Sequence, residues 1–313
     1  AKRKLPNLQK KSKTNKKIKK KSSCLIIKTS FSLNVKKKSN IKEHKTYIQT
    51  DTLNTIFDSN LNNNEDDIYK KLHTEKENVI EKLKSISNSE ANKLFLQYSK
   101  TNEEIISKIN EKEQILLSKF YYEDAKSKSI IKELANKLSN YQLRFEEIGE
   151  GYVEIVTIPS FYYDIFKSYV TDDYKDYIFL ISEENKNLYS ADAGLVITFT
   201  ELGERINNWE SFLNKYPKFE LLDEVKSSLI YYRQDYIFGL DNTPTFERDF
   251  ESQTEDNKKI SYIYDENQKE FNRFIKKYPN SPTSKLIKLF IENHKKMQEE
   301  ALFELIRNEI NKK

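Results

Sequence analysis

The residue types that most often carry out chemistry are few and scattered along this chain of 313 residues. The three histidines, His44, His73 and His294, are far apart, and none has a histidine or cysteine at metal-ligand spacing. The sequence contains no HExxH, Walker A or GxSxG motif. A single cysteine, Cys24, can form neither an internal disulfide nor a thiolate metal cluster. We therefore predict no catalytic residues, no metal and no cofactor.

Paired acidic residues could in principle act as a carboxylate dyad. Such pairs occur at Glu103-Glu104, Asp172-Asp173 and Glu183-Glu184. Two of the pairs follow a threonine that can cap a helix, where acidic side chains favour the helix dipole. We interpret these two pairs, Glu103-Glu104 and Asp172-Asp173, as helix-start residues. The segment Gly149-Glu150-Gly151 is too short and too acidic to hold a phosphate, and it predicts a tight turn instead.

Clusters of aromatic residues leave two interpretations open. Phe120-Tyr121-Tyr122, Phe161-Tyr162-Tyr163 and Tyr231-Tyr232 could pack in the core or line a groove for a peptide or glycan. Adjacent residues on a helix point about 100° apart, so one ring of each pair can stay exposed.

The segment 241–246 follows a predicted helix end at Gly239 and is rich in residues that fix turns. It is our candidate surface site, formed by Asp241, Asn242, Thr243 and Phe246.

Charge is divided unevenly along the chain. Residues 1–50 hold 17 of the 54 basic side chains but only one acidic residue, Glu43, so residues 51–313 have a net charge of −11. We predict that residues 1–45 form a basic disordered tail and that residues 46–65 form a polar linker. The candidate contacts to a polyanion in this tail are Lys16, Lys17, Lys19, Lys20 and Lys21.

The tail has three interpretations. It could bind nucleic acid or another polyanion by charge alone, without sequence preference. Residues 24–35 could be the apolar part of a degenerate export signal, although Lys28 interrupts it and no cleavage motif follows. The tail could also have no selected role. No stretch reaches the roughly 18 to 20 apolar residues that span a bilayer, so we predict no transmembrane helix.

Apolar residues recur at helical spacing through most of the remaining chain. Helical hairpins are predicted in residues 66–142, with helices at 66–87, 88–99, 101–120 and 125–141, the third beginning at a Thr101-to-Glu104 capping box. A β-hairpin follows at 143–158, and a subdomain boundary is predicted near residue 143. Further helices are predicted at 161–170, 172–186, 199–216, 220–238, 265–277 and 283–311. The predicted fold is mainly α, an irregular array of helical hairpins with one small β-hairpin.

Two nine-residue segments share one pattern. They begin at Trp209 and at Phe271, 62 residues later, and each has a phenylalanine at the fourth position and ends in Lys-Tyr-Pro. Proline stops such a helix because it drives the preceding residue out of the helical conformation. The segment 143–313 should therefore contain two related helix-Tyr-Pro-helix units. Four aromatic residues should be buried at equivalent helix ends: Trp209, Phe212, Phe271 and Phe274.

This pattern, with Asn280-Ser281 after its second copy, resembles helical segments of bacterial envelope lipoproteins of the tetratricopeptide class, over residues 198–300. The longer stretch from Glu201 to Pro244 is similar to envelope proteins of the Bacteroidota. The spacing of the two copies departs from the roughly 34-residue unit of the tetratricopeptide class. The chain also lacks the lipobox cysteine that such envelope proteins normally carry. The resemblance implies a helical array in the cell envelope and supplies no active site.

Together these features predict a non-enzymatic helical scaffold, or a protein- or ligand-binding protein, of the cell envelope. Its partner would be a protein or peptide bound between the helices of residues 198–300. The alternative function is polyanion (nucleic-acid) binding through the basic tail. The predicted location is the periplasm or cell envelope, with the cytoplasm as the alternative.

Overall fold

The computed structural model describes residues 66–249 and 259–312. The predictions for the basic tail and the linker, residues 1–65, lie outside the described residues. Helices account for 65% of the described residues, which confirms the mainly-α fold. The helices are α1 (Asp66–Leu83), α2 (Asn88–Leu117), α3 (Ala125–Asn140), α4 (Phe161–Phe166), α5 (Asp172–Glu184), α6 (Phe199–Lys215), α7 (Leu222–Phe238), α8 (Asp265–Lys277), α9 (Pro282–Asn293) and α10 (Glu299–Ile310).

Four two-stranded antiparallel sheets accompany these helices in the described part of the chain. The predicted hairpin is confirmed as β1 (Leu143–Gly149) and β2 (Tyr152–Thr157), with Phe145 opposite Ile155. The structure adds three sheets that the sequence did not predict, because most of their strands are too short to show alternation. They are β3 (Ser190–Ala191) with β4 (Gly194–Leu195), β5 (Gly239–Leu240) with β6 (Thr243–Pro244), and β7 (Phe246–Asp249) with β8 (Lys259–Ile263).

The helix α2 corrects the sequence prediction of two helices over the same residues. Its capping box is formed by Ser87 and Glu90, whose carboxylate accepts the Ser87 N–H at 2.9 Å. The predicted capping box at Thr101 lies in mid-helix instead. Neither glycine nor proline occurs between residues 88 and 117, so nothing in the backbone interrupts the helix. One face of α2 is therefore continuous over thirty residues.

The sequence predicted one helix over residues 283–311, but the structure has two, because the chain leaves the helical conformation between α9 and α10. This break lets α10 pack against both α9 and α7. Phe290 of α9 and Ile306 of α10 are both fully buried in the same core. No glycine or proline marks the break, so the sequence carried no local signal for it.

Two clusters of buried apolar side chains form the core. The smaller one lies among α1, α2, α3 and the β1–β2 hairpin, and consists of Tyr69, Leu72, Ile105, Ile109, Leu134, Leu138, Leu143 and Ile155. The larger one extends from Val79 to Ile310 and is rich in aromatic rings. Helices α1 and α2 contribute to both clusters. The predicted boundary near residue 143 stays a prediction.

The two helix-Tyr-Pro units have matching structures. Trp209 and Phe212 are 3% and 4% exposed, and Phe271 and Phe274 are fully buried, so the burial prediction is confirmed. At the helix ends, Tyr216 has φ −126° and ψ 65°, and Tyr278 has φ −126° and ψ 62°. Each tyrosine N–H donates to the carbonyl of the phenylalanine four residues earlier at 2.8 Å.

The lysine and tyrosine of each unit also donate hydrogen bonds to one carboxylate of a neighbouring helix. Asp176 of α5 accepts from Lys215 Nζ at 2.7 Å and from the Tyr216 hydroxyl at 2.8 Å. Glu204 of α6 accepts from Lys277 Nζ at 3.0 Å and from the Tyr278 hydroxyl. The shared motif thus ends one helix and also hydrogen-bonds that helix end to an adjacent helix.

We expect Phe212→Ala and Phe274→Ala each to lower the free energy of unfolding by about 3 to 5 kcal/mol. Each substitution leaves a cavity in the core, next to the Lys-Tyr hydrogen bonds at the helix end. Urea denaturation measures the loss. Phe179→Ala is the matched control: this ring is 42% exposed, and its removal should cost less than about 1 kcal/mol. A loss below about 1 kcal/mol for both core variants would show that the motif does not support the core.

Candidate binding groove

A groove opens where the β1–β2 hairpin, the chain that follows α2 and the segment 186–201 meet. It consists of two adjoining cavities of about 450 Å³ and about 400 Å³. Glu147, Leu188 and Val196 line both cavities, so they form one continuous surface. The first cavity is also lined by Phe120, Arg144, Phe145, Glu146, Lys186 and Glu201, and the second by Tyr121, Glu150, Gly151 and Asp192.

This groove is not the one that the sequence predicted. The sequence predicted a groove between the helices of residues 198–300, which stays a prediction; of those residues, Glu201 lines the first cavity described here. Helices α6 to α9 pack on one another through the larger core. Their inner faces are occupied by each other's aromatic side chains, so the concave surface lies beside this stack instead.

Aromatic and aliphatic side chains form one wall of the groove. The Phe120 ring lies 5.0 Å from the Tyr121 ring and 5.2 Å from the Phe145 ring, both in edge-to-face geometry. Tyr121 is 47% exposed and Val196 is 57% exposed. Of the two interpretations of the aromatic clusters, Phe120 and Tyr121 thus line a groove, whereas Phe161 and Tyr232 are core residues.

Carboxylates outnumber basic groups around the groove. The lining acids are Glu146, Glu147, Glu150, Asp192 and Glu201, against Arg144 and Lys186. The Arg144 guanidinium pairs with Glu146 at 2.7 Å, which neutralises one acid. Glu147 accepts the Tyr121 hydroxyl at 2.9 Å, and Glu147 and Glu150 are both exposed. The groove therefore presents a net negative charge to a ligand.

One end of the groove is closed by a contact between two turns. The Asp192 side chain accepts the Glu150 N–H at 2.6 Å. Gly149, at φ 92°, permits this approach because an added Cβ would lie 2.7 Å from the Asp192 carboxylate oxygen. The β1–β2 hairpin and the β3–β4 turn are thus tied together at their tips.

Two arginines bind the end of α5, where the groove segment 186–201 starts. Arg144 donates to the Asn185 carbonyl at 2.9 Å, and Arg205 donates to the Glu184 and Asn187 carbonyls at 3.1 and 3.0 Å. Guanidinium groups at a helix C-terminus satisfy its unpaired carbonyls and offset its partial negative charge. The segment that leaves α5 therefore starts from a fixed position.

Two largely buried carboxylates, Glu184 and Asp235, lie next to the start of the segment 186–201. Glu184 accepts the Trp209 N–H at 2.7 Å and the Tyr232 hydroxyl at 2.9 Å, and burial raises the pKa of its carboxyl. Asp235 accepts the Tyr189 hydroxyl, and burial raises the pKa of Asp235 to about 6. All these donors and acceptors are used within the core, so the network positions Tyr189, which directly follows the groove residue Leu188.

Glu184 and Asp235 were not predicted to be buried. Glu183-Glu184 was singled out only as a pair of acidic residues, yet Glu184 follows Tyr177 by seven residues and so shares its buried helix face. That periodicity is the signal that could have found it. Asp235 precedes the buried Tyr236 and shows no comparable pattern.

The predicted loop site lies at the surface at Asp241 and Asn242, and it also makes contacts with the β3–β4 turn. Asp241 and Asn242 are exposed, but the Asn242 N–H donates to the Ala193 carbonyl at 2.9 Å, and the Thr243 hydroxyl accepts the Leu195 N–H at 3.0 Å. The loop therefore supports the β3–β4 turn.

Phe246 is a correction to the predicted surface site. It is 2% exposed, because its ring packs against the rings of Phe290 and Phe303. The predicted polyanion contacts Lys16, Lys17, Lys19, Lys20 and Lys21 lie outside the described residues.

No group of three or more His, Cys, Asp or Glu side chains among the described residues is placed to hold a metal ion. None of their helices is long and apolar enough to cross a membrane. Comparison with protein-family models, with curated proteins and with solved structures finds no match to this chain. The groove geometry therefore carries the functional argument.

We expect Asp235→Asn to stabilise the protein at pH 7.5 by roughly 1 to 3 kcal/mol and to leave stability at pH 4 nearly unchanged. The folded pKa of Asp235 is raised above its ordinary value of 3.8, so its contribution to stability is present below about pH 4 and is lost as pH rises through about 6. Asparagine stays neutral and still accepts the Tyr189 hydroxyl.

Denaturation at both pH values checks this expectation. Asp241→Asn, at an exposed acid, is the control and should change stability by less than about 0.5 kcal/mol at either pH. An Asp235→Asn variant that is less stable than the parent at pH 7.5 would contradict the direction of the shift.

Proposed function

We propose that this protein is a non-enzymatic binding protein, a helical scaffold that holds an extended protein or peptide segment in the groove. The observation that carries the proposal is that Val196, an exposed apolar side chain, lines both cavities. The exposed Tyr121 lines the second of them. Apolar side chains grouped in a concave surface with a few polar groups are typical of binding sites.

The strand β1 supports an extended ligand in particular. It pairs only with β2 among the described residues, so its other edge carries no strand. Four consecutive residues, 144–147, line the first cavity. An extended peptide can add to such an edge through main-chain hydrogen bonds, while its side chains select the neighbouring pockets.

We also propose that the protein acts in the cell envelope, on the strength of the resemblance of residues 198–300 to envelope lipoproteins of the tetratricopeptide class. The cytoplasm is the alternative location. Cell fractionation with N-terminal sequencing separates the two: an exported protein is expected to lose residues 1 to about 35, and a cytoplasmic one to retain them.

Display of random peptides against the full chain tests the groove. We expect enriched peptides to bind the parent protein and to lose roughly tenfold or more in affinity for Val196→Lys, which places a long, charged side chain in both cavities. Tyr231→Lys, at another exposed apolar residue on α7, is the matched control and should bind as the parent does. Equal binding by both variants would remove the groove as the site.

A second candidate function is polyanion binding through the tail, favoured by its 17 basic side chains against one acid. If six to ten phosphates are contacted, affinity for DNA should fall by about 10³ to 10⁵ between 50 and 200 mM salt. Deletion of residues 1–45 should abolish this binding, because the remainder of the chain is acidic. A deleted chain that still binds DNA at low salt would overturn this function.

A further inference from the structure

The groove has a candidate occupant within the same chain. We infer that the basic segment of residues 10–38 docks in the groove and competes there with an outside ligand. This inference rests on the proposed function of the groove as a peptide-binding site. It applies to the chain that retains its N-terminal residues.

Charge complementarity is the first argument. The segment carries twelve lysines and no acidic residue. The groove is lined by five acids and two bases, and Glu147 and Glu150 are exposed at its surface. Opposite charges on two facing surfaces steer their encounter and fix their register more than they add affinity.

The distribution of apolar residues is the second argument. Between its lysine runs the segment has Leu25-Ile26-Ile27 and, four residues later, Phe31. The groove likewise has an apolar wall, with Phe120 and Val196, next to its carboxylates. A purely electrostatic partner would leave that wall uncovered, whereas this segment can cover it and pair with the acids at once.

The third argument is the position at which the described structure begins. Asp66 starts α1, and the hydroxyl of nearby Tyr69 donates to Glu113, in the last turns of α2, at 2.8 Å. The chain leaves α2 and reaches Phe120, at the groove, seven residues after Glu113. The 27 residues between 38 and 66 span up to about 90 Å when extended, which is more than enough to reach the groove.

Covalent linkage makes even a weak contact effective. A contact within one chain is intramolecular, and its effective concentration is set by the length of the connecting chain, so docking does not require high affinity. Because one site cannot hold two ligands, the segment lowers the affinity of the groove for an outside peptide. A polyanion that binds the lysines should release the groove, and by linkage a peptide in the groove should release the lysines.

Cys24, the single cysteine, lies in the middle of the segment and provides a site-specific handle. The full chain is labelled there with a benzophenone maleimide, irradiated, and digested for mass spectrometry. We expect crosslinks to concentrate on residues 120–122, 144–152 and 186–196. Adding 0.5 M salt should reduce them, since the Debye length falls to roughly 4 Å.

Two charge variants of equal net charge complete the test. Glu147→Gln/Glu150→Gln should reduce groove crosslinks roughly threefold or more, by removing two exposed charge partners. Glu224→Gln/Glu304→Gln removes exposed acids on α7 and α10, which do not line the groove, and should leave the crosslinks unchanged.

Three results would overturn the inference. They are crosslinks spread evenly over the surface, equal effects of both double variants, and crosslinks formed mainly between chains when light and heavy isotope-labelled proteins are mixed. The outcome is separable from that of the proposed function, which is tested with displayed peptides and Val196→Lys. Groove crosslinks without peptide binding would support docking alone, and peptide binding without groove crosslinks would support the groove alone.

Discussion

Buried glutamates that must be hydrogen-bonded constrain the packing of helices α5 to α9. A carboxylate out of water is costly unless donors surround it, so each buried glutamate determines which helices stand next to its own. Glu184 of α5 accepts hydrogen bonds from side chains of α6 and α7.

Two further glutamates connect the remaining helices. Glu210 of α6 accepts from Arg233 of α7 and from the Ser281 and Thr283 hydroxyls at the start of α9. Glu270 of α8 takes the Thr200 hydroxyl from α6 and the Tyr236 hydroxyl from α7. Five helices are thereby held in register by polar contacts within an otherwise aromatic core.

The groove follows from this arrangement. Since Glu184 fixes the last turn of α5 and two arginines hold its carbonyls, the chain from residue 186 must leave the core in one direction. It passes along the β1–β2 hairpin, turns at β3–β4, and returns to the capping box at Thr198, where Glu201 accepts the Thr198 N–H at 2.8 Å. The loop at Asn242 and Thr243 supports that turn from behind. The concave surface is therefore a consequence of where α5 ends and α6 begins.

The sequence allowed the prediction of helix ends that are determined by residues close to one another along the chain. The helix end at Gly239 and the two Lys-Tyr-Pro stops were all predicted, because each signal lies within a few positions along the chain. The groove could not be found in this way. Tyr121, Glu147 and Val196 come from three separate elements, and their approach depends on how the core packs. The break between α9 and α10 was missed for a related reason: burial of Phe290 and Ile306 in one core determines it, not a local breaker.

The buried acids Glu270 and Glu184 differ in the direction of their pKa shifts, according to their partners. Burial acts to raise the pKa of Glu270, but hydrogen bonds from Arg273, Thr200 and Tyr236 outweigh it, and the pKa is lowered. Glu184 has neutral donors, and burial raises its pKa. On the α8 side the acid therefore stays charged at ordinary pH and its ion pairs persist. On the groove side, Glu184 and Asp235 bind protons more readily than exposed acids do, and the folded state loses stability as they ionise. The segment that forms the groove wall starts at Glu184 and includes Tyr189, the donor to Asp235. The segment that lines the groove thus starts beside the two buried acids whose pKa values are raised by burial.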